Sequence, residues 1–227
     1  MADFRITAAG DSALMIELPA RVDRATSARV ISMADAARRR FGRSIRDAVV
    51  GYHTMTVYFD PLALDAGWLE DQMSEIAGEA EISTESSAAA IEVPVCYGGD
   101  DFGPDLPAVA TAAGLSDEEV VALHTAPDYH VFVVGFVPGF AYMGPVDERL
   151  AMPRRSSPRT RVPAGSVAIA AGQTGIYPLE TPGGWHLIGR TAVRPFDEGR
   201  AQPVLFRPGD RVKFRSIGRD QFGVMGG

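Results

Sequence analysis

Tyr129-His130-Val131-Phe132-Val133-Val134, followed at once by Gly135-Phe136-Val137-Pro138-Gly139, sets the texture of the chain from there to its end. Runs that read as strands, Tyr129–Val134, Ser166–Ala171, Trp185–Thr191 and Arg211–Phe214, are separated by glycine- or proline-punctuated gaps. Pro208-Gly209-Asp210 is the clearest turn. Many short strands with few helices predict a closed or partly closed β-barrel. Upstream lie a strand at Ile91–Tyr97, the glycine-framed Gly98–Gly103, and two short helices, Asp105–Ala113 and Ser116–His124. Ser116 with Glu119 three residues on is a capping-box pattern for the second.

The first part of the chain reads differently. Phe4–Ala8 and Ala13–Leu18, split by Gly10-Asp11, predict a hairpin. Val30, Ala34, Ala37 and Phe41 recur at helical spacing between Val22 and Phe41, and Arg38–Arg40 fall in the last turn, where cations suit the helix dipole. Val49–Val50 and Met55–Phe59 read as strands around Gly51-Tyr52-His53. Ala66–Glu79 reads as a helix with Trp68, Leu69, Met73 and Ile76 on one side, and Ile82–Ala90, small and polar, as a linker. The expected architecture is therefore α+β: an N-terminal domain, residues 1–85, of two helices on an antiparallel sheet, followed by a barrel domain, residues 86–227.

Composition excludes several functions. With 227 residues, 46% hydrophobic and 22% charged, the chain can bury a core and is no disordered tail. A net charge of -7 argues against nucleic acid or an anionic membrane as the main partner. No run of about 18 apolar residues is present, nor a basic stretch followed by a hydrophobic one at the N-terminus, so a soluble cytoplasmic protein is expected. Cys96 is the lone cysteine, and His124 and His130 stand six apart rather than four, so neither a disulfide nor a metal site is expected.

Of 22 cations, 21 are arginine; Lys213, the single lysine, follows Val212, so there is no Walker A loop. A phosphate or carboxylate must then meet arginine, backbone N–H groups or a partner's side chains. No cation lies between Asp47 and Glu148, where 19 of the 29 acids fall. That split reads either as a solvated acidic surface or as an acidic half facing a basic half across a boundary between domains or between subunits.

The residues that can carry chemistry run from Gly135 to Arg190. Phe136, Phe140 and Tyr142, held between glycines and prolines, are the kind of aromatics that wall a ligand pocket. Arg154-Arg155-Ser156-Ser157-Pro158-Arg159-Thr160-Arg161 puts four arginines in eight residues, bracketed by Pro153, Pro158 and Pro163 and so extended. Alternate residues of an extended chain share a face, so Arg155, Arg159 and Arg161 are expected to converge on an anion. Gln173 and Thr174 are candidate hydrogen-bonders to an amide or carboxylate, with Tyr177 beside them. Glu180 and His186 are the nearest acid–base candidates. Ser156-Ser157 matches only the serine pair of amidase-signature enzymes, which also need a lysine, and no G-x-S-x-G elbow occurs.

Gly135–Tyr142, Pro153–Ser166 and Gly172–Thr191 together resemble the carboxyltransferase subdomain C/D family, which includes the B component of 5-oxoprolinase, the first of the two allophanate hydrolase chains, and kinase-inhibitor-like proteins. Gln173-Thr174-Gly175-Ile176-Tyr177 with Pro182-Gly183-Gly184-Trp185 carries the resemblance most densely, and it extends over essentially the whole chain. Ala141 departs from it, standing where the family has proline in Gly-Phe-Pro-Tyr. The resemblance implies a cyclophilin-like barrel after an N-terminal α+β domain. It also implies hetero-oligomeric work with the C and A components of 5-oxoprolinase on a small amide or lactam: ATP-dependent opening of 5-oxo-L-proline to L-glutamate, with ATP shared with or held by a partner.

Three functions compete. A component of 5-oxoprolinase fits an arginine cluster beside amide-binding residues, because a lactam opens readily once its amide oxygen is phosphorylated. A carboxyltransferase-like component acting on urea or another small amide, as in allophanate processing, needs a biotin carrier that this chain lacks. The third is a regulatory binding protein that inhibits a histidine kinase through its cyclophilin-like domain.

Overall fold

A computed structural model describes residues 3–80 and 89–225. The chain forms two compact units, Met1–Ser87 and Ala88–Gly227. The division expected after residue 85 and most of the expected Ile82–Ala90 linker fall outside the described residues.

In the first unit β1 (Arg5–Ala8), β2 (Ala13–Glu17), β3 (Ile45–Val50) and β4 (Thr54–Phe59) form an antiparallel sheet in the order β1-β2-β4-β3. Alternation puts Met55, Val57 and Phe59 of β4 into the core. Over them lie α1 (Arg24–Phe41) and α2 (Ala66–Glu79), contributing Val30, Met33, Ala37, Leu69, Met73 and Ile76. Each helix starts where an aspartate accepts a backbone N–H: Asp23 from Thr26 at 2.7 Å, Asp65 from Trp68 at 2.8 Å. Two helices on an antiparallel sheet is the expected arrangement.

The second unit opens with β5 (Ile91–Tyr97), followed by α3 (Gly99–Phe102), α4 (Leu106–Ala113) and α5 (Asp117–Thr125). The capping box at Ser116 and Glu119 forms in both directions. Then come β6 (Tyr129–Val134), β7 (Ala141–Gly144), β8 (Arg159–Val162), β9 (Ser166–Ala170) and β10 (Gln173–Ile176). The chain continues through β11 (Thr181–Gly183), β12 (His186–Arg190), β13 (Arg211–Ser216) and α6 (Arg219–Met225).

Seven strands close a barrel in the order β10-β7-β6-β13-β5-β12-β9, with β9 returning to β10; β8 and β11 pair separately. The barrel is closed rather than open. β7, β10 and β11 are additions to the expected strands, and α3 and α6 to the expected helices. Each is only three to seven residues long.

The interior core draws Val93 and Val95 from β5, Val131 from β6, Met143 from β7, Val167 and Ile169 from β9, and Phe214 from β13. α4 and α5 add Leu106, Val109 and Val120. Several acids of the cation-free stretch pair with flanking cations of their own unit. Glu75 pairs with Arg40 and Asp60 with Arg46 in the first; Asp105, Asp128 and Glu92 pair with later cations in the second. Among the described residues no helix is long and apolar enough to cross a membrane.

Candidate functional site

Strand alternation sorts the barrel residues into two layers. β9 sends Val167 and Ile169 to the interior core and Ala168 and Ala170 to a second cluster on the outside; β7 sends Ala141 and Met143 inward and Tyr142 outward. The small outward alanines leave room for a layer of rings. Phe140 is its hub, meeting Tyr142 at 4.8 Å, Tyr177 at 5.3 Å, Trp185 at 5.5 Å and Phe136 at 5.8 Å, all edge to face. Phe140, Tyr177 and Trp185 are buried; Phe136 is 62% exposed, held at the lip with φ 73°. A non-glycine residue at such a φ is a costly conformation of the kind found at ligand sites.

Between these rings and the β8–β11 ribbon lies a pocket of about 220 Å³. Its aromatic side is Phe136, Phe140, Tyr142, Tyr177 and Trp185; its far side is Arg154, Pro158 and Pro182-Gly183-Gly184. Glycine is required at 183: a Cβ there would stand 2.3 Å from the Tyr177 hydroxyl oxygen. Among the described residues no lysine, histidine or carboxylate lines the pocket. Burial raises the Tyr142 phenol, against the nearby charge of Arg154. Burial also raises Tyr177, with the Trp185 N–H and then Arg154 pulling the other way. Both hydroxyls therefore keep their protons at neutral pH.

The arginine run is positioned by a residue more than forty places upstream. Asp105, 5% exposed at the start of α4, accepts four hydrogen bonds. They come from Arg155 Nη1 (2.9 Å), Arg159 Nη1 and Nη2 (both 2.8 Å) and the Leu187 backbone N–H (2.7 Å). Burial alone would raise its carboxyl; the hydrogen bonds from Arg159 and Leu187 and the charges of both arginines more than offset that and hold it below the usual range. The Arg155 N–H donates to Gly184 O at 2.8 Å, and His186 Nε2 donates to Pro153 O at 2.9 Å. These bonds pin both ends of the loop that carries Arg154.

The structure thus brings together Phe136, Phe140, Tyr142 and Tyr177, and separates the rest of the expected site. Arg155, Arg159 and Arg161 do not converge on an open anion site. The first two are turned onto Asp105. Arg161 leaves the loop on the other side, in a two-pronged surface pair with Glu180 at 3.0 Å for each prong. Of the expected acid–base residues, Glu180 is engaged by Arg161 at the surface, and His186 Nε2 is tied to Pro153 O. Neither lines the pocket.

Thr174 faces the barrel interior, fully buried. Its hydroxyl donates to Ala168 O at 3.1 Å and accepts from His124 Nε2 at 2.8 Å, while the Tyr97 hydroxyl lies 2.7 Å from His124 Nδ1. Gln173 begins β10 and also lies outside the pocket lining. Arg154, Trp185 and Asp105 are site residues that the sequence pattern alone does not single out. Trp185 carries a usable signal, an aromatic after Gly183-Gly184, the same framing that marks Phe136.

The family described as carboxyltransferase domain, subdomain C and D, matches residues 4–206. The chain is 37% identical to the B component of 5-oxoprolinase from Bacillus subtilis (strain 168), over 96% of this chain and 95% of that protein. It is 43% identical to the B component of 5-oxoprolinase from Escherichia coli O157:H7, over 90% of this chain and 92% of that one. Among solved structures, TTHA0988 matches with a TM-score of 0.81 at 38% identity, covering 91% of this chain. The chain spans 40% of the TTHA0988 chain.

Proposed function

Because the chain belongs to the carboxyltransferase domain family, subdomain C and D, we propose that it is the B-type component of an ATP-dependent 5-oxoprolinase. With partners of the A and C types it opens 5-oxo-L-proline to L-glutamate in the cytoplasm. The observation that carries the reading is the near end-to-end match to relatives of that name. The pocket supports it. A five-membered lactam is small and flat enough for about 220 Å³ between the faces and edges of Phe140, Tyr142 and Trp185. The Tyr177 hydroxyl, kept protonated by burial, donates to a lactam carbonyl oxygen and draws charge onto it.

The same pocket does not fit a nucleoside triphosphate. It is small, and no carboxylate lines it to hold a magnesium ion. This reading therefore places ATP on a partner. It also makes the chain non-autonomous, because no side chain of the lining can exchange a proton near neutral pH.

The experiment is ATP-dependent turnover of 5-oxo-L-proline by the purified chain, alone and with its partners. No turnover alone and turnover on reconstitution is the expected result. Robust turnover by the isolated chain overturns the non-autonomous role, and none by the reconstituted complex overturns the substrate.

A further inference from the structure

Of the four arginines between residues 154 and 161, three are matched to carboxylates and one is not. Arg155 and Arg159 share Asp105, and Arg161 is held by Glu180. Arg154 forms no ion pair among the described residues, is exposed, and lines the aromatic pocket. Two guanidinium groups on one carboxylate leave a surplus positive charge behind the same loop. Among the described residues no acid in the lining opposes it. A pocket with one free guanidinium, flat aromatic walls and a surplus of positive charge selects a monoanion with a flat apolar body.

We propose that Arg154 reads the carboxylate of the ligand, so that the pocket takes a small ring bearing a carboxylate and rejects the same ring without one. This deepens, and rests on, the 5-oxoproline reading above: the ring lies against Phe140 and Trp185 while the carboxylate points to the loop end of the pocket. Arg155 and Arg159 act one step back. By tying the loop to Asp105 they fix where Arg154 emerges, and they are positioning residues.

The test compares the wild-type complex with R154Q and R154K on 5-oxo-L-proline and on 2-pyrrolidinone, the ring lacking the carboxylate. Losing the charged fork is expected to raise the KM for 5-oxo-L-proline about ten- to a hundredfold, with a smaller change in kcat. R154K recovers little of it, because lysine keeps the charge but not the fork. Any activity on 2-pyrrolidinone is expected to be unchanged in R154Q. A KM for 5-oxo-L-proline within twofold of wild type in R154Q overturns the assignment.

If the reconstituted complex turns over no 5-oxo-L-proline, the functional reading fails and a second measurement decides Arg154. Pyrrole-2-carboxylate is titrated into the full chain carrying Trp68→Phe, so that Trp185 alone reports. Binding that R154Q abolishes supports the assignment. Equal binding by R154Q, or none by the parent protein, overturns it. Arg154 is exposed and unpaired, so both variants are expected to fold, and far-ultraviolet circular dichroism checks that they do.

Discussion

On the inner face of the barrel, Thr174, His124 and Tyr97 form a hydrogen-bonded chain sealed from solvent, with the Tyr129 hydroxyl closing on His124 O at 2.9 Å. On the outer face of neighbouring strands, Arg154 stands over an aromatic pocket with no carboxylate among the described residues to answer it. The inner chain assigns its own protons. Thr174 donates to Ala168 O, so it must accept from His124 Nε2–H, and the Tyr97 hydroxyl donates to Nδ1. That direction at Nδ1 is the one a neutral imidazole allows, and burial keeps His124 neutral. A buried polar group has to be satisfied from within, because leaving it unmatched costs several kcal/mol. A half-exposed one can be left for a ligand. Asp105 lies between these cases, buried yet holding two arginines that reach the surface.

The change expected to damage the outer face most is Asp105→Ala. It removes the acceptor of four hydrogen bonds and strands Arg155 and Arg159 together, in a loop where Arg155 Nε is already buried without a partner. Removing one side of a buried ion pair costs about 3–5 kcal/mol, and partial exposure of the two arginines favours the lower end. Denaturant unfolding read through Trp185, in a Trp68→Phe background, measures it. A loss under about 1 kcal/mol would mean that Asp105 does not organise this face.

The inner face is sharpened by acid. Burial lowers the His124 pKa from 6.5 to about 3. Between those values the unfolded chain binds a proton that the folded barrel refuses, so stability is full above about pH 6.5 and is lost as the pH falls toward 3. The slope approaches about 1.4 kcal/mol per pH unit, or about 2–3 kcal/mol by pH 4.5. His124→Gln lowers stability overall but is expected to flatten that slope between pH 6.5 and 4.5. An unchanged slope would assign the acid sensitivity to another group.

How far each face could be read from sequence follows from the range of its interactions. α2 is set by local apolar spacing and by the Asp65 cap, and α5 by Ser116 and Glu119; those are legible within a few residues. β10 and β11 are not, because Gly175, Pro182 and Gly183 suppress any strand signal and pairing with β9 and β8 makes them strands. The pocket aromatics are marked by glycine and proline framing. The arginines are not, since parity along an extended chain groups Arg155 with Arg159 and Arg161. What separates them is Asp105, which nothing local to the arginine run indicates.

The smallest expected effect tests that separation directly. Arg161 and Glu180 are 77% and 52% exposed, and a pair in water gains little because solvent screens it and two long side chains must be held still. Arg161→Ala is expected to cost under about 1 kcal/mol of stability. A double-mutant cycle with Glu180→Ala should give a coupling of about 0.2–1 kcal/mol that shrinks in high salt. In the reconstituted complex Arg161→Ala should leave the KM for 5-oxo-L-proline near wild type while R154Q raises it, although the two positions lie in one run of eight residues. A rise in KM for Arg161→Ala as large as for R154Q would mean that Arg161 turns from Glu180 to the ligand, and that parity along the extended strand, rather than the pairing seen with Asp105 and Glu180, selects the arginine that binds.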